Sequence, residues 1–188
     1  MKYLVLGDVH LLHAHNNTSF ILKNLNTLFN DFKPGPLTDL DAVFFEGDLF
    51  DKATDASNQE LNDIKFWFLR LFSYCAKYKI ILRILEGTPR HDQKQARIFE
   101  TIASMVEGLD YRWVNTLEIE FLKSLNLHIL YVPDEYRSNN RQTFEEAKQL
   151  MAEKNLNKVD LTIMHGMFGF QVNYPVKSDF LHFEQDYL

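Results

Sequence analysis

Apolar residues in this chain fall into two kinds of pattern that alternate. Tyr3-Leu4-Val5-Leu6, Asp41-Ala42-Val43-Phe44-Phe45 and Ile80 to Leu85 are short unbroken runs of buried-strand type. Between the first two, Ile21, Leu22, Leu25, Leu28, Phe29 and Phe32 recur at helical spacing. Asn17, Thr18 or Ser19 caps that helix, and Pro34-Gly35-Pro36 stops it. Between the second and third runs, Leu61, Ile64, Phe68, Leu71, Phe72 and Cys75 share one helical face, widened by Trp67, Tyr74 and Tyr78. That aromatic stripe reads as core. A further helix follows the third run, with Phe99, Ile102, Ala103 and Val106 inward.

The pattern then shortens. Strands are expected around Tyr111–Val114, Leu117–Leu122 and Leu127–Val132, the last stopped by Pro133. Thr143 with Glu146 three residues on predicts a capping box for a helix through Met151. Val159 to Met164 is another strand, and Ser178 to Leu188 reads as the start of a short helix. Repeated strand–helix–strand units mean a largely parallel sheet with right-handed crossovers. The later meander implies a second, partly antiparallel sheet. The expectation is a single α/β domain over residues 1–188, with two sheets flanked by helices.

Composition narrows the function more than the fold. The chain has 46% hydrophobic and 24% charged residues, ordinary for a soluble domain. No window approaches the ~20 apolar residues that span a bilayer, so no membrane partner is expected. No secretory leader is read at the N-terminus, and the single Cys75 cannot pair within the chain; a cytoplasmic setting fits. The net charge of −6 gives no general attraction for nucleic acid. A polyanionic substrate would need metal ions or a partner chain to supply positive charge.

Chemistry gathers at the ends of the strands. Asp8 and His10 follow the first, one residue apart, and in extended backbone they share a face. Asp48 and Asp51 follow the second, His91 and Asp92 the third, and His165 the last. Carboxylates with imidazoles suit manganese, iron or zinc. One Asp between two ions can bridge them, and Asp48 is the natural candidate. Each residue also has a plainer reading. Asp48 and Asp51 could cap turns, His165 could be a buried histidine bonded to backbone, and His91 could lie on the surface. His13 and His15 sit in a loop bordering the site, while His128 and His182 read as structural. Joint occurrence at four strand ends favours the metal reading.

Taken in order, D-x-H at Asp8–His10, G-D-L-F-D at Gly47–Asp51, G-T-P-R-H-D at Gly87–Asp92 and H-G at His165–Gly166 resemble the calcineurin-like metallophosphoesterase superfamily. Within it, G-D-L-F-D and M-H-G-M-F are most similar to SbcD-type nuclease subunits of DNA repair and recombination, in their shorter phage forms. The resemblance implies a four-layer α-β-β-α sandwich of the metallo-dependent phosphatase type. It implies two divalent ions, manganese first, with iron, zinc or magnesium as alternatives. Asp8 and His10 would hold one ion, Asp48 both, and His165 the second. His91 would act on the phosphate and the leaving oxygen. Asp51, Thr88, Arg90 and Asp92 would support the site. DNA and an SbcC-like ATPase subunit are the implied partners, with a homodimer also possible. A phosphoesterase of small phosphate esters or cyclic nucleotides is the alternative activity, and an inactive remnant a third reading. Two departures stand out. Thr88 to Arg90 occupy the place of the family's Asn, and no G-H-x-H motif is present. The expectation is therefore a domain stopped before its last motif, binding metal weakly and nearly inactive alone.

Overall fold

The computed structural model describes residues 1–55, 57–134, 140–168 and 182–183. Strands β1 (Tyr3–Leu6), β2 (Ala42–Phe45), β3 (Ile81–Leu85) and β4 (Tyr111–Val114) form one sheet in that spatial order, every neighbouring pair parallel. Helices α1 (Thr18–Leu28), α2 (Gln59–Tyr78) and α3 (Ile98–Ala103) make the crossovers. The side chains of Asn17 and Asn58 cap α1 and α2, accepting from Ser19 N at 2.8 Å and Glu60 N at 2.9 Å.

Because successive strand side chains face opposite ways, each strand serves two cores. Val43, Phe45, Leu82 and Ile84 pack against Leu22, Leu25, Phe68, Phe72 and Phe99 of the three helices. The intervening residues Ala42, Phe44, Ile81, Leu85 and Val114 face a second sheet through Leu122, Ile129, Tyr131 and Ile163. That sheet comprises β5 (Glu118–Leu122), β6 (Leu127–Val132) and β7 (Leu161–Met164), with β5 antiparallel and β7 parallel to β6. Its far side, Ile119, Leu130 and Val132, is covered by Ala147, Leu150 and Met151 of α4 (Asn140–Glu153). The layers therefore run helix, sheet, sheet, helix. Among the described residues no helix is long and apolar enough to cross a membrane.

Three expectations change. Tyr111–Val114 belongs to the first sheet, not to the meander, because Tyr111 and Trp113 continue the helix-facing row of Leu82 and Ile84. α4 begins at Asn140, so Thr143 does not cap it. Thr143 is buried in the first turn, with no hydrogen-bond partner for its hydroxyl among the described residues. His182–Phe183 is a strand, β9, parallel to β8 (Met167–Phe168), and not helix; the rest of that tail lies outside the described residues.

One charged side chain sits in the seam between the sheets. Arg83 is 1% exposed on β3 and meets Glu120 of β5 through two bonds, Nε to Oε2 at 2.9 Å and Nη2 to Oε1 at 2.7 Å. Nη2 also contacts Asp110 Oδ1 at 2.9 Å, and the Tyr131 hydroxyl donates to Glu120 at 2.8 Å. Burial opposes ionisation of Glu120, but the guanidinium outweighs it and holds the carboxyl below its usual range. Removing one member leaves the other charge buried and unmatched. Arg83→Met should therefore cost roughly 3–5 kcal/mol, and adding Glu120→Gln should recover much of the loss. Urea denaturation of the two variants measures both steps.

Candidate metal centre

The site is built where parallel pairing continues past the strand ends. His10 N donates to Asp48 O at 3.0 Å, Leu11 N to Leu49 O at 2.9 Å and Asp51 N to Leu11 O at 2.8 Å. Leu11, Leu49 and Phe50, all fully buried, anchor the two loops in the helix-side core. Asp8, His10 and Asp48 each have φ near +49°, at 49°, 49° and 48°. The D-x-H segment is thus not extended as expected, but turns through the left-handed region twice. Non-glycine residues there are sparsely populated and are held only by surrounding structure.

Two glycines make the approach possible. A Cβ on Gly87 would stand 2.0 Å from Asp48 N, and one on Gly47, at φ +112°, would stand 2.5 Å from His165 Nδ1. Without those carbons, Thr88 N donates to Asp48 Oδ1 at 2.6 Å and Thr88 Oγ1 lies 3.2 Å from Oδ2. Asp92, fully buried, clamps the same two loops by accepting Phe50 N at 2.8 Å and Gly87 N at 2.7 Å.

Two ligand groups result. Asp8, Asp48 and His165 bring one ligand atom each within 4.8 Å of one another, and so do His10, Asp51 and His91. Asp48 lies between them, with Oδ1 3.2 Å from His165 Nε2 and Oδ2 3.9 Å from His10 Nε2. Asp8 Oδ1 is 3.7 Å from His10 Nε2. Asp8, expected on one ion alone, therefore reaches toward both positions. Asp51 Oδ1 sits 3.4 Å from His10 Nδ1 and 3.8 Å from His91 Nδ1. His91 Nδ1 also lies 3.0 Å from the Asp51 carbonyl, a contact in which only the ring can donate, which places a proton on Nδ1.

His165 is set in the same manner. Nδ1 donates to the Glu46 carbonyl at 3.0 Å, and Nε2 faces Asp48 Oδ1 and Thr88 Oγ1, each at 3.2 Å, so a hydrogen bond to Asp48 places a second proton on Nε2. Burial pushes the His165 pKa down, but the hydrogen bond to Asp48 and the charges of Asp48, Asp8 and Asp134 outweigh it and raise it. Burial pushes Asp48 up, and its bond to His165 with the bond from Thr88 leaves it lowered. A shared proton between a carboxylate and an imidazole is what a divalent ion displaces, and carboxylate–imidazole sets with a backbone-oriented histidine fit transition metals.

The remaining candidates have clear places. Thr88 is a buried partner of Asp48 and His165. Arg90 is exposed on the loop before His91 and belongs to neither ligand group. Asp92 is a structural clamp. His15 is exposed, and His128 pairs with Asp160, its backbone N donating to Oδ2 at 2.7 Å. The side chain of His182 lies outside the described residues. Sequence reasoning overlooked Glu86 and Asp134. Glu86, buried, accepts Lys94 N at 2.5 Å and Trp113 Nε1 at 3.0 Å. Asp134, 4% exposed, follows β6 beside His165, whose N donates to Val132 O at 2.9 Å. Its position just after a strand and a proline was the available signal.

No protein-family model matches this chain, and no curated protein matches it.

Burial pushes the Asp92 carboxyl up to about 7, aided by the nearby charges of Glu86 and Asp48 against its two backbone donors. The unfolded value is about 3.9. Between these the folded state holds the extra proton, so this contribution is full below about pH 4 and is lost as pH rises toward 7. Asp92→Asn should flatten part of the fall in urea midpoint measured from pH 4.5 to 7.5, whatever it costs in absolute stability.

Proposed function

We propose that this chain is a metal-dependent phosphoesterase of the metallo-dependent phosphatase type, acting on phosphodiesters and most specifically on DNA. One observation carries the reading. Asp48 presents one oxygen to His165 and the other to His10, a carboxylate arranged to be shared by two cations. Asp8, Asp48 and His165 would hold one ion, with the Thr88 hydroxyl adjacent. His10, whose Nε2 faces Asp8 and Asp48 and which also groups with Asp51 and His91, would hold the other together with those two carboxylates, Asp8 and Asp48. Bound there, such ions supply Lewis-acid stabilisation of charge on a phosphoryl oxygen. Manganese is the first choice, with iron, zinc or magnesium compatible with the same donors.

The chain's own groups supply the rest. His91 is fixed through Nδ1–H by the Asp51 carbonyl, so in its doubly protonated form the ring would offer Nε2–H to a phosphate oxygen and give up that proton to a departing one, returning to the neutral Nδ1–H tautomer. The Asp8 side chain is 69% exposed and those of His10 and His91 are 27% exposed, so the site opens to solvent and admits an extended chain. The motif series at Gly47–Asp51 and His165–Gly166 supports a nuclease subunit. The net charge of −6 supports a partner, of SbcC-like ATPase type, that carries much of the affinity for DNA. A cytoplasmic location suits both DNA and a buried free thiol at Cys75.

Asp48→Asn keeps the shape but removes the charge shared by both positions. It should abolish manganese-dependent cleavage of linear DNA and lower the manganese stoichiometry seen by calorimetry; wild-type turnover with unchanged stoichiometry would end the two-ion reading. His91→Ala should keep its metal and lose roughly 10²–10⁴-fold in rate. Loss of a metal equivalent in that variant would place His91 among the ligands. A preference for small phosphodiesters over DNA, measured side by side, would replace the nuclease assignment.

A further inference from the structure

The loop between His10 and α1 carries His13, which none of the roles above uses. His13 Nδ1 accepts two backbone N–H groups, from His15 at 3.0 Å and from Asn16 at 3.1 Å. A ring nitrogen that accepts carries no proton, so in the neutral ring the proton is on Nε2. That nitrogen lies 4.0 Å from Asp51 Oδ1, beyond hydrogen-bond length but within reach of an electrostatic contact. The same oxygen stands 3.4 Å from His10 Nδ1 and 3.8 Å from His91 Nδ1. The rings of His10 and His13 meet edge-on at 6.4 Å, and those of His10 and His91 at 4.9 Å. Three imidazoles therefore converge on one carboxylate oxygen, and His13 is the one whose tautomer is set from outside the cluster.

We infer that His13 is a positioning residue. The turn at His15–Asn16 aims its Nε2–H at Asp51, and this keeps the carboxylate between His10 and His91. Asp51 Oδ1 in turn stands 3.4 Å from His10 Nδ1, a buried nitrogen with no hydrogen bond among the described residues. Its charge therefore favours the tautomer with the proton on Nδ1 and Nε2 open toward Asp8 and Asp48, the side where a metal would lie. The consequence for metal affinity rests on the function proposed above; the effect on ring tautomers does not.

A purely local role, closing the turn, is separable by two isosteres. In His13→Asn the side-chain oxygen takes the place of Nδ1, so the turn keeps its acceptor while Asp51 loses its donor. In His13→Gln the amide NH₂ takes the place of Nε2–H, so Asp51 keeps a donor while the turn loses its acceptor. The tautomers of His10 and His91 are read in the metal-free full chain by long-range ¹H–¹⁵N correlation, whose cross-peak pattern distinguishes the two neutral tautomers from the doubly protonated ring. Manganese affinity is read by calorimetry, and the urea midpoint reports folding separately. His13→Asn is expected to leave His10 averaging between tautomers and to weaken manganese binding roughly tenfold, the lower end for an outer partner of a ligand. His13→Gln is expected to stay close to wild type in both. The inference is overturned if His13→Asn matches wild type, or if His13→Gln loses as much as His13→Asn. If the wild-type chain binds no manganese, the proposed function falls on that result, and the tautomer measurement alone still decides the role of His13.

Discussion

The carboxyl ends of β2 and β3 approach more closely than two side-chain-bearing residues could. Gly87 passes so near Asp48 that a methyl group there would overlap its backbone nitrogen. Everything at this edge of the sheet depends on that contact. It lets Thr88 reach both oxygens of Asp48, and it lets the Asp92 carboxylate span Gly87 N and Phe50 N. Left-handed backbone at Asp8, His10 and Asp48 costs of order 1–3 kcal/mol at each position. The loop-to-loop bonds from His10, Leu11 and Asp51, with three fully buried side chains beneath them, offset that cost. Strain held in this manner preorganises side chains that would otherwise sample several directions.

The second constraint is the seam between the sheets. Asp8, His10, Asp48 and His91 come from the first sheet, but His165 follows β7 of the second. The distance from Asp48 to His165 is therefore set by how the sheets pack, not by any local turn. Phe44, Leu85 and Tyr131 fix the spacing by volume. Arg83 and Glu120 fix the register by a bidentate ion pair that tolerates little sliding. An apolar pair of equal volume could be as stable, but it would not define one alignment of β3 against β5.

How much of this was legible in the sequence depends on the range of the interaction. Strand runs and helix stripes are local, and β1, β2 and α2 lie where the periodicity places them. α1 begins as expected but ends at Leu28, because the chain turns through the left-handed region at Asn30, Asp31 and Phe32, before the Pro34-Gly35-Pro36 stop. The residues at four strand ends were visible because parallel strands deliver their carboxyl ends to one edge. What was not legible needed a partner distant in sequence. Tyr111–Val114 joins the first sheet because of Leu82 and Ile84, nearly thirty residues earlier, and nothing within the segment says so. The left-handed turns at Asp8 and His10 arise from pairing with the loop after β2, whereas spacing alone suggested extended backbone. Asp51 falls between two histidines, and Asp134 beside a third, only after the chain is folded.

The acids around the site are sorted by the donors they meet. Glu46, Glu86, Asp92 and Asp134 are all raised, burial being the largest cause in each. Asp134, lifted to about 6, has no partner for Oδ2 among the described residues. Asp92 has two backbone donors but no cation, and the charges of Glu86 and Asp48 work against it. Asp48 is nearly as buried, yet it is lowered, because Thr88 donates to it and the His165 ring faces it. The fold thus raises the buried acids around the site, Asp92 to about 7 and Asp134 to about 6, and holds the central Asp48 below its ordinary range. That difference favours charge on Asp48 over charge on its buried neighbours. It leaves full negative charge on the one oxygen pair that faces both His10 and His165, which is where a pair of cations would need it.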